Sequence, residues 1–280
     1  MGKPVRRPDP LVNSPIRGAA VDPVRSRRDA HSAATPAGRF VQSPTFILSL
    51  MRSGSTLLRC ILDSHSKIYS PHELHLGSIE VEVVGGAQLS IGRLDMTQHD
   101  LKFILWDQLV YRQLVASGKK FIVEKTPANT LIHEQILSCW PDARFIILYR
   151  NPIDICLSFV NSGIFTEVEE ACESILQWSE RLEAAALHPD SIEVRYERLI
   201  ETPDIVCRDL CRFIGVDYEP TMLDYGNYDH GAYEPGLGDW RDKIRSGCIQ
   251  VLSTDSASCE LPGSIVELGE RWGYGENGER

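Results

Sequence analysis

A loop of small and basic residues near position 50 carries the strongest chemical signal in the chain. The loop reads Leu50-Met-Arg-Ser-Gly-Ser-Thr56 and lies between an apolar run, 45–50, and a stretch with helical spacing, 55–63. Such a loop directs backbone N–H groups and the positive end of a helix dipole at one point. The pattern therefore predicts an anion site. The alternative is an ordinary helix start in which Ser53 or Ser55 is the N-cap.

The side chains of this loop match phosphate or sulfate oxygens. Arg52 supplies a planar fork of donors. Ser53, Ser55 and Thr56 add hydroxyl groups, and Gly54 lets the backbone approach a ligand closely. A Walker A motif is absent, because no lysine precedes the Ser-Thr pair, and this disfavours a metal-dependent kinase or NTPase.

A second pair of candidate donors follows another apolar run. Arg150 stands directly after the run 144–149, and Ser158 comes eight residues later. Ligands of open α/β sheets bind at the carboxyl ends of the strands, so we expect Arg150 to lie at a ligand site beside the first loop. The alternative is a surface arginine at a strand end and a serine on a helix surface.

Alternating strand-like and helix-like segments must position these residues. Short apolar runs at 45–50, 120–124, 144–149 and 191–196 are typical of buried parallel strands. Amphipathic segments at 55–63, 99–117, 168–187, 203–214 and 263–271 lie between and after them. The alternation predicts a three-layer α/β/α fold with a central, mostly parallel sheet.

The composition excludes several classes of protein. The 280 residues include 29 Lys plus Arg and 39 Asp plus Glu, so the formal charge is 29 − 39 = −10. An acidic chain argues against nucleic acid as a partner. No apolar run is long enough for a membrane span, and the eight cysteines form no CxxC pair. We expect a cytoplasmic protein without a metal site, with Cys207 and Cys211 as buried apolar side chains.

The charge is divided between two unlike parts. Residues 1–39 carry eight basic and three acidic side chains, a local charge of 8 − 3 = +5, together with several prolines and no periodic apolar pattern. We predict a disordered, basic Pro/Arg-rich leader over 1–43 and a folded domain over 44–280. The alternative for the leader is a basic arm for anionic partners or an organelle transit peptide.

Three ordered blocks resemble the sulfotransferases that use 3′-phosphoadenosine 5′-phosphosulfate (PAPS). Residues 46–59, FILSLMRSGSTLLR, look like the 5′-phosphosulfate loop of that family, and 149–158, YRNPIDICLS, like its 3′-phosphate motif. The block 194–203, VRYERLIETP, followed by CRFIGV at 211–216, is similar to a third family motif. The style is closest to tyrosylprotein sulfotransferases and to the sulfotransferase domains of bacterial polyketide pathways. The resemblance implies a P-loop-like fold.

The resemblance also implies roles for further residues. It makes Glu73, in Ser70-Pro-His-Glu-Leu-His75, the general base, with His72 and His75 as rivals. Lys125 is the expected catalytic lysine. Together with Arg52, it would stabilise the negative charge of the leaving group. Asn129 is expected to orient the acceptor.

The resemblance places the rest of the nucleotide as well. Tyr196 is the expected neighbour of the adenine, and Arg241 and Lys243 are the expected contacts of a late loop with the 3′-phosphate. The sequence departs from the family pattern at Met51, where a proline is usual, and at Gly238-Asp239-Trp240, where the family has a Gly-Asp-Pro run.

The implied function is transfer of a sulfuryl group from PAPS, with 3′,5′-adenosine bisphosphate as the second product. The acceptor is expected to be a hydroxyl group on a small molecule, a glycan, a natural product or a carrier-bound chain, framed by segments 76–100, 160–180 and 217–250. Two alternatives stay open: a P-loop-like kinase or NTPase, and a nucleotide-binding module without catalysis.

Overall fold

In the computed structural model of the protein, a five-stranded sheet forms the centre of the described residues, 38–231, 242–249 and 261–275. All of its strand pairs are parallel, and the strand order is β2-β3-β1-β4-β5. The strands are β1 (Thr45–Ser49), β2 (Ile68–Tyr69), β3 (Phe121–Glu124), β4 (Arg144–Tyr149) and β5 (Ser191–Arg195). The predicted mostly parallel sheet is confirmed.

Helices cover both faces of the sheet. They are α1 (Ser55–Asp63), α2 (Gly86–Arg93), α3 (Gln98–Ser117), α4 (His133–Cys139), α5 (Pro152–Asn161), α6 (Val168–Ala186), α7 (Tyr196–Glu201), α8 (Pro203–Ile214), α9 (Asp242–Arg245) and α10 (Gly263–Arg271). In this part of the chain, none of them combines the length and the apolar character that crossing a membrane requires.

Alternate residues of the central strand β1 enter two different apolar cores. Phe46 and Leu48 pack with residues of α3, α4 and α6, whereas Ile47 packs with residues of α1 and α8. This alternation follows from the period of two in a strand, and burial on both faces explains why β1 and β4 are apolar runs. Cys207 and Cys211 are buried in the second core, as predicted.

The strand order creates the place where a site can form. β1 lies between β3 and β4, with Phe46 opposite both Glu124 and Phe145. The strands β2 and β3 lie on one side of β1, and β4 and β5 lie on the other. A strand with such neighbours marks the switch point at which open α/β sheets bind ligands. The segments after β1, β3 and β4 are the three that carry Arg52, Lys125 and Arg150.

The residues just before β1 are held against the domain. Arg39 donates a hydrogen bond from Nε to the Cys139 carbonyl at 2.8 Å, and the backbone N–H groups of Phe40 and Val41 donate to the carboxylate of Asp107. The end of the segment predicted as a leader therefore contacts the folded part of the chain. The rest of that prediction, residues 1–37, lies outside the described residues.

The last residue of α1, Asp63, is a buried carboxylate. Asp63 accepts a hydrogen bond from the backbone N–H of Ser70 at 2.9 Å and contacts His230 Nδ1 at 2.8 Å. Lys119 Nζ lies 3.6 Å from the same carboxylate. Burial alone would raise the pKa of Asp63, but the hydrogen bonds from His230 and Ser70 outweigh it and hold this pKa below its usual value.

The lowered pKa of Asp63 predicts a pH-dependent contribution to stability. Ionised Asp63 stabilises the fold above about pH 4, and this stabilisation is lost as the pH falls through the lower folded-state pKa. We expect Asp63→Asn to lower the free energy of unfolding by about 1 to 3 kcal/mol at pH 7, because His230 and Lys119 lose an ionised partner.

Denaturant titrations between about pH 3 and pH 7 measure this effect. The gap between the wild type and Asp63→Asn should shrink below about pH 4. Asp209→Asn, which removes an exposed partner of Arg212, is the matched control and should change stability little. A gap that stays constant over the whole range would contradict the assignment.

Candidate active site

The loop after β1 turns sharply before α1 begins. Arg52 and Gly54 both have left-handed backbone conformations, with φ of 67° and 84°. Gly54 is the N-cap of α1, and no described side chain caps this helix. The alternative in which Ser53 or Ser55 caps an ordinary helix is therefore not what the structure shows.

The two arginines and the serine expected to bind phosphate lie together. Arg52 Nε donates to Ser158 Oγ at 3.0 Å, which joins the loop to α5. Arg150 donates from one terminal guanidinium nitrogen to the carbonyl of Arg52 at 2.7 Å. Residues that are about 100 positions apart in sequence thus form one cationic cluster at the start of α1.

Tyr196, the first residue of α7, covers this cluster. The guanidinium of Arg150 lies 4.7 Å from the centre of the Tyr196 ring, within cation–π distance. The same ring packs against the backbone of Gly54, where an added Cβ atom would be 2.3 Å from two ring carbons. Gly54 is thus required twice, for its conformation and for the close approach of Tyr196.

Two donors in the cluster have no acceptor among the described residues. Ser53 Oγ and Arg150 Nε are buried atoms without a hydrogen-bond partner there. Because unsatisfied buried donors are costly, donors of this kind on the loop after β1 and on the residue after β4 fit a ligand that accepts hydrogen bonds. An anion with several oxygens, such as a phosphate group, has the chemistry that these donors match.

A buried carboxylate that no sequence motif predicted, Glu197, bonds the residue that follows Arg150. Glu197 is buried, accepts a hydrogen bond from the backbone N–H of Asn151 at 3.1 Å and accepts another from the Tyr274 hydroxyl at 2.8 Å. Burial, followed by the Glu197 charge, raises the pKa of Tyr274 and keeps its hydroxyl protonated as the donor. The feature of the sequence that could have indicated Glu197 is its position directly after Tyr196, the expected neighbour of the adenine.

The expected base and the expected lysine are in direct contact. Lys125 Nζ donates a hydrogen bond to Glu73 Oε1, and it also lies 3.4 Å from Thr56 Oγ1 at the start of α1. The Lys125 side chain is 1% exposed and that of Glu73 is 12% exposed. Burial lowers the pKa of Lys125, and the Glu73 carboxylate opposes that shift. Through Thr56, the pair lies next to the loop 50–56.

The two histidines beside Glu73 differ in their contacts. His75 Nε2 lies 3.5 Å from Glu73 Oε2, and the His75 side chain is 40% exposed. His72 instead donates from Nδ1 to the backbone carbonyl of Glu73 at 3.1 Å. Of the two rivals, only His75 touches the carboxylate itself.

Glu124, which no sequence motif predicted, bonds the residues that follow Glu73 and Lys125. Glu124 is 1% exposed at the end of β3, and Asn129 Nδ2 donates to it. Burial raises the pKa of Glu124, while hydrogen bonds from Thr126 and Leu74 oppose the shift. Asn129 is itself 1% exposed, and its expected contact with an acceptor stays a prediction. No simple motif marks a buried carboxylate of this kind.

The remaining expected contacts lie outside the described part of the molecule. Arg241 belongs to the undescribed segment 232–241. The backbone of Lys243 lies in α9, but its side chain is outside the described residues. Their expected contacts with a 3′-phosphate therefore stay predictions. In the described ranges, no group of three or more His, Cys, Asp or Glu residues could hold a metal ion.

The fold and the site define an α/β protein of P-loop-like architecture, with a cluster of arginine and hydroxyl side chains at the switch point of a parallel sheet. Residues 44–220 match the profile described as "Sulfotransferase family". Because this match covers more than half of the chain, the protein belongs to the sulfotransferase family. The expected enzyme class is confirmed, and the donor, the acceptor and the reaction of the whole protein are matters for proposal.

Individual relatives agree with this assignment. The chain is 26% identical over 281 aligned residues to nodulation protein NoeE of Sinorhizobium fredii (strain NBRC 101917 / NGR234), and the match covers 80% of this chain and 65% of NoeE. It is 28% identical over 253 residues to an uncharacterized protein of Aquifex aeolicus (strain VF5), covering 78% of this chain and 33% of that protein. The chain thus spans less than two thirds of the length of either relative.

A solved structure with the same fold is the sulfotransferase domain from the curacin biosynthetic pathway. It superposes with a TM-score of 0.63 at 23% identity, covering 84% of this chain and 98% of that domain. At this identity the likeness concerns the fold, and it confirms the P-loop-like three-layer architecture.

The contact between Gly54 and Tyr196 can be tested by substitution. A left-handed conformation costs an L residue about 1 to 2 kcal/mol. We expect Gly54→Ala to lower the free energy of unfolding by more than this amount. The excess arises from the overlap with the Tyr196 ring, so it should disappear when the same change is made in a Tyr196→Ala background.

Denaturant unfolding of the four proteins in this cycle gives the coupling. Gly118→Ala is the matched control, because Gly118 also has a positive φ of 67° but has no atoms within 4 Å of an added Cβ. Equal losses at Gly54 and Gly118 would show that Tyr196 does not press on the loop.

Proposed function

We propose that the protein transfers the sulfuryl group of PAPS to a hydroxyl group of its acceptor, with Glu73 as the general base. The observation that carries this proposal is the contact of Glu73 with the buried Lys125, which lies beside the loop 50–56 through Thr56. Membership of the sulfotransferase family supports the reaction type.

The donor is expected to occupy the cationic cluster. Arg52, the hydroxyl groups after it and the N–H groups of α1 would bind its 5′-phosphosulfate, and Arg150 and Ser158 its 3′-phosphate. The unpartnered Ser53 Oγ and Arg150 Nε support this arrangement, since phosphate oxygens supply the acceptors they lack. The exposed part of the Tyr196 ring offers an apolar surface for the adenine.

The chemistry assigned to the chain is a proton transfer and a charge stabilisation. Glu73 accepts the proton of the acceptor hydroxyl as its oxygen bonds to sulfur. The bond between sulfur and the bridging oxygen of the donor breaks, and 3′,5′-adenosine bisphosphate leaves with that oxygen. Lys125 lies beside Thr56, where its ammonium stabilises the negative charge on the departing oxygen.

The acceptor is proposed to be a small molecule, a glycan, a natural product or a carrier-bound chain with a free hydroxyl group. The partly exposed His75, which touches the Glu73 carboxylate, indicates the side from which such a hydroxyl group reaches the base. His75 would then hold the unbonded carboxylate oxygen in place. A cytoplasmic location remains part of the proposal.

Removing the base should affect turnover and leave donor binding intact. We expect Glu73→Gln to lower kcat by about 100- to 10,000-fold, the usual contribution of a general base. Transfer of radioactive sulfate from labelled PAPS across hydroxyl acceptors measures turnover, and ATP with Mg²⁺ serves as the comparison donor. Asp209→Asn is the control, because Asp209 is 51% exposed on α8 and lies outside the segments expected to frame the acceptor. Full activity in Glu73→Gln would exclude this base.

Removing the proposed phosphate contact should affect donor binding directly. We expect Arg150→Ala to weaken the binding of 3′,5′-adenosine bisphosphate by about 10- to 150-fold, the effect of losing a charge-assisted hydrogen bond. Isothermal titration calorimetry measures the dissociation constant. Arg212→Ala, at a side chain that is 78% exposed, is the control. If the wild type shows no binding of this nucleotide, the proposed donor is wrong.

A further inference from the structure

The segment that carries Glu73 and the strand that carries Lys125 are joined by one buried carboxyl group. Glu124 Oε1 accepts hydrogen bonds from the backbone N–H of Leu74 at 3.0 Å and from the Thr126 hydroxyl at 2.6 Å. Glu124 Oε2 accepts from Asn129 Nδ2. All three contacts come from donors, so Glu124 acts as an acceptor throughout.

The partners of Glu124 are the immediate neighbours of the reacting groups. Leu74 follows Glu73 in the chain, and Thr126 follows Lys125. Thr126 Oγ1 also accepts a hydrogen bond from the backbone N–H of His75 at 3.2 Å. The backbone N–H groups on both residues after Glu73 are therefore held by the Glu124–Thr126 pair.

No reacting atom needs to touch Glu124. Glu124 is 1% exposed, and in the strand register it lies opposite Phe46 of β1. It is thus on the face of the sheet that packs against α3, α4 and α6. Lys125, the next residue of the chain, points to the opposite face, where it meets Thr56 of α1. Glu124 therefore faces away from the loop 50–56, but it still bonds the segment after Glu73 and the segment after Lys125. Such a carboxyl group is suited to holding Glu73 and Lys125 in position.

We propose that Glu124 is a positioning residue that sets the distance between Glu73 and Lys125 by holding residues 74–75 to the end of β3. This inference rests on the proposed function of Glu73 and Lys125. The reason for a charged group here is geometric, since one carboxyl can accept all three hydrogen bonds at once. Truncation would free both segments, and a displacement of about 1 Å at a reacting group can cost about 100-fold in rate.

The substitution Glu124→Gln separates geometry from charge. The amide oxygen can keep the bonds from Leu74 and Thr126. The amide nitrogen would then face Asn129, whose Oδ1 has no partner among the described residues and can accept from it after the Asn129 amide turns over. A positioning role therefore predicts that Glu124→Gln restores most of the activity that Glu124→Ala loses.

Labelled-sulfate transfer and nucleotide binding together test the proposal. We expect Glu124→Ala to lower kcat by about 100-fold. Its affinity for 3′,5′-adenosine bisphosphate should be unchanged, because the donor contacts come from the segments after β1, β4 and β5. Glu193→Gln, at an exposed position of β5, is the control and should match the wild type.

Thr126→Val provides a second route if Glu124→Ala does not fold. This nearly isosteric change removes the hydroxyl that bonds Glu124 and His75, so kcat should fall while nucleotide affinity stays close to the wild type. The proposal is overturned if folded Thr126→Val keeps full kcat, or if Glu124→Gln is as slow as Glu124→Ala. Parallel losses of kcat and nucleotide affinity would also overturn it. A wild type that transfers no sulfate from PAPS would instead refute the proposed function.

Discussion

The parallel pairing of β1 with both β3 and β4 is the constraint on which the site depends. Parallel strands end at the same edge of a sheet, so the segments after these three strands must lie side by side. The loop 50–56 follows β1, Lys125 follows β3 and Arg150 follows β4. Because β1 and β4 are buried on both faces, their register cannot slip without moving apolar side chains out of the cores. The positions of the cations are thus set by apolar packing.

The charges that this packing buries are all matched with partners in the described residues. An unpaired buried charge is costly, and a buried pair is tolerated only when further hydrogen bonds satisfy it. Lys125 has Glu73 and Thr56, Asp63 has His230 and Ser70, and Glu197 has Asn151 and Tyr274. Among the buried side-chain atoms without a hydrogen-bond partner in the described residues, Ser53 Oγ and Arg150 Nε lie at the proposed donor site, whereas others, such as Ser49 Oγ and Trp106 Nε1, lie elsewhere.

The proposed donor and acceptor sides are built from separate elements. Arg52, Arg150, Ser158 and Tyr196 belong to the segments after β1, β4 and β5, and they contact one another directly. Glu73 and Lys125 are held by the end of β3 and the chain around residues 70–75, and Thr56 is their link to the loop. This division explains why nucleotide binding and turnover should respond to different substitutions.

Much of the fold and part of the site follow from local sequence. Apolar runs located four of the five strands, and helical spacing located α1, α3, α6, α8 and α10 to within one or two residues, because strong local periodicity is reinforced by packing. The two-residue strand β2 has too little pattern to be seen. The resemblance of three motifs indicated the family, which the profile match confirms.

Tertiary structure alone decided which side chains meet. The sequence suggests Glu73, His72 and His75 as rivals but does not show that Glu73 bonds Lys125, since these residues lie 52 positions apart. Glu124 and Glu197 were missed for the same reason. A carboxylate becomes a buried hydrogen-bond acceptor only when distant segments close around it. The residue types that could do chemistry were therefore readable from the chain, whereas their partners depended on the order of strands in the sheet.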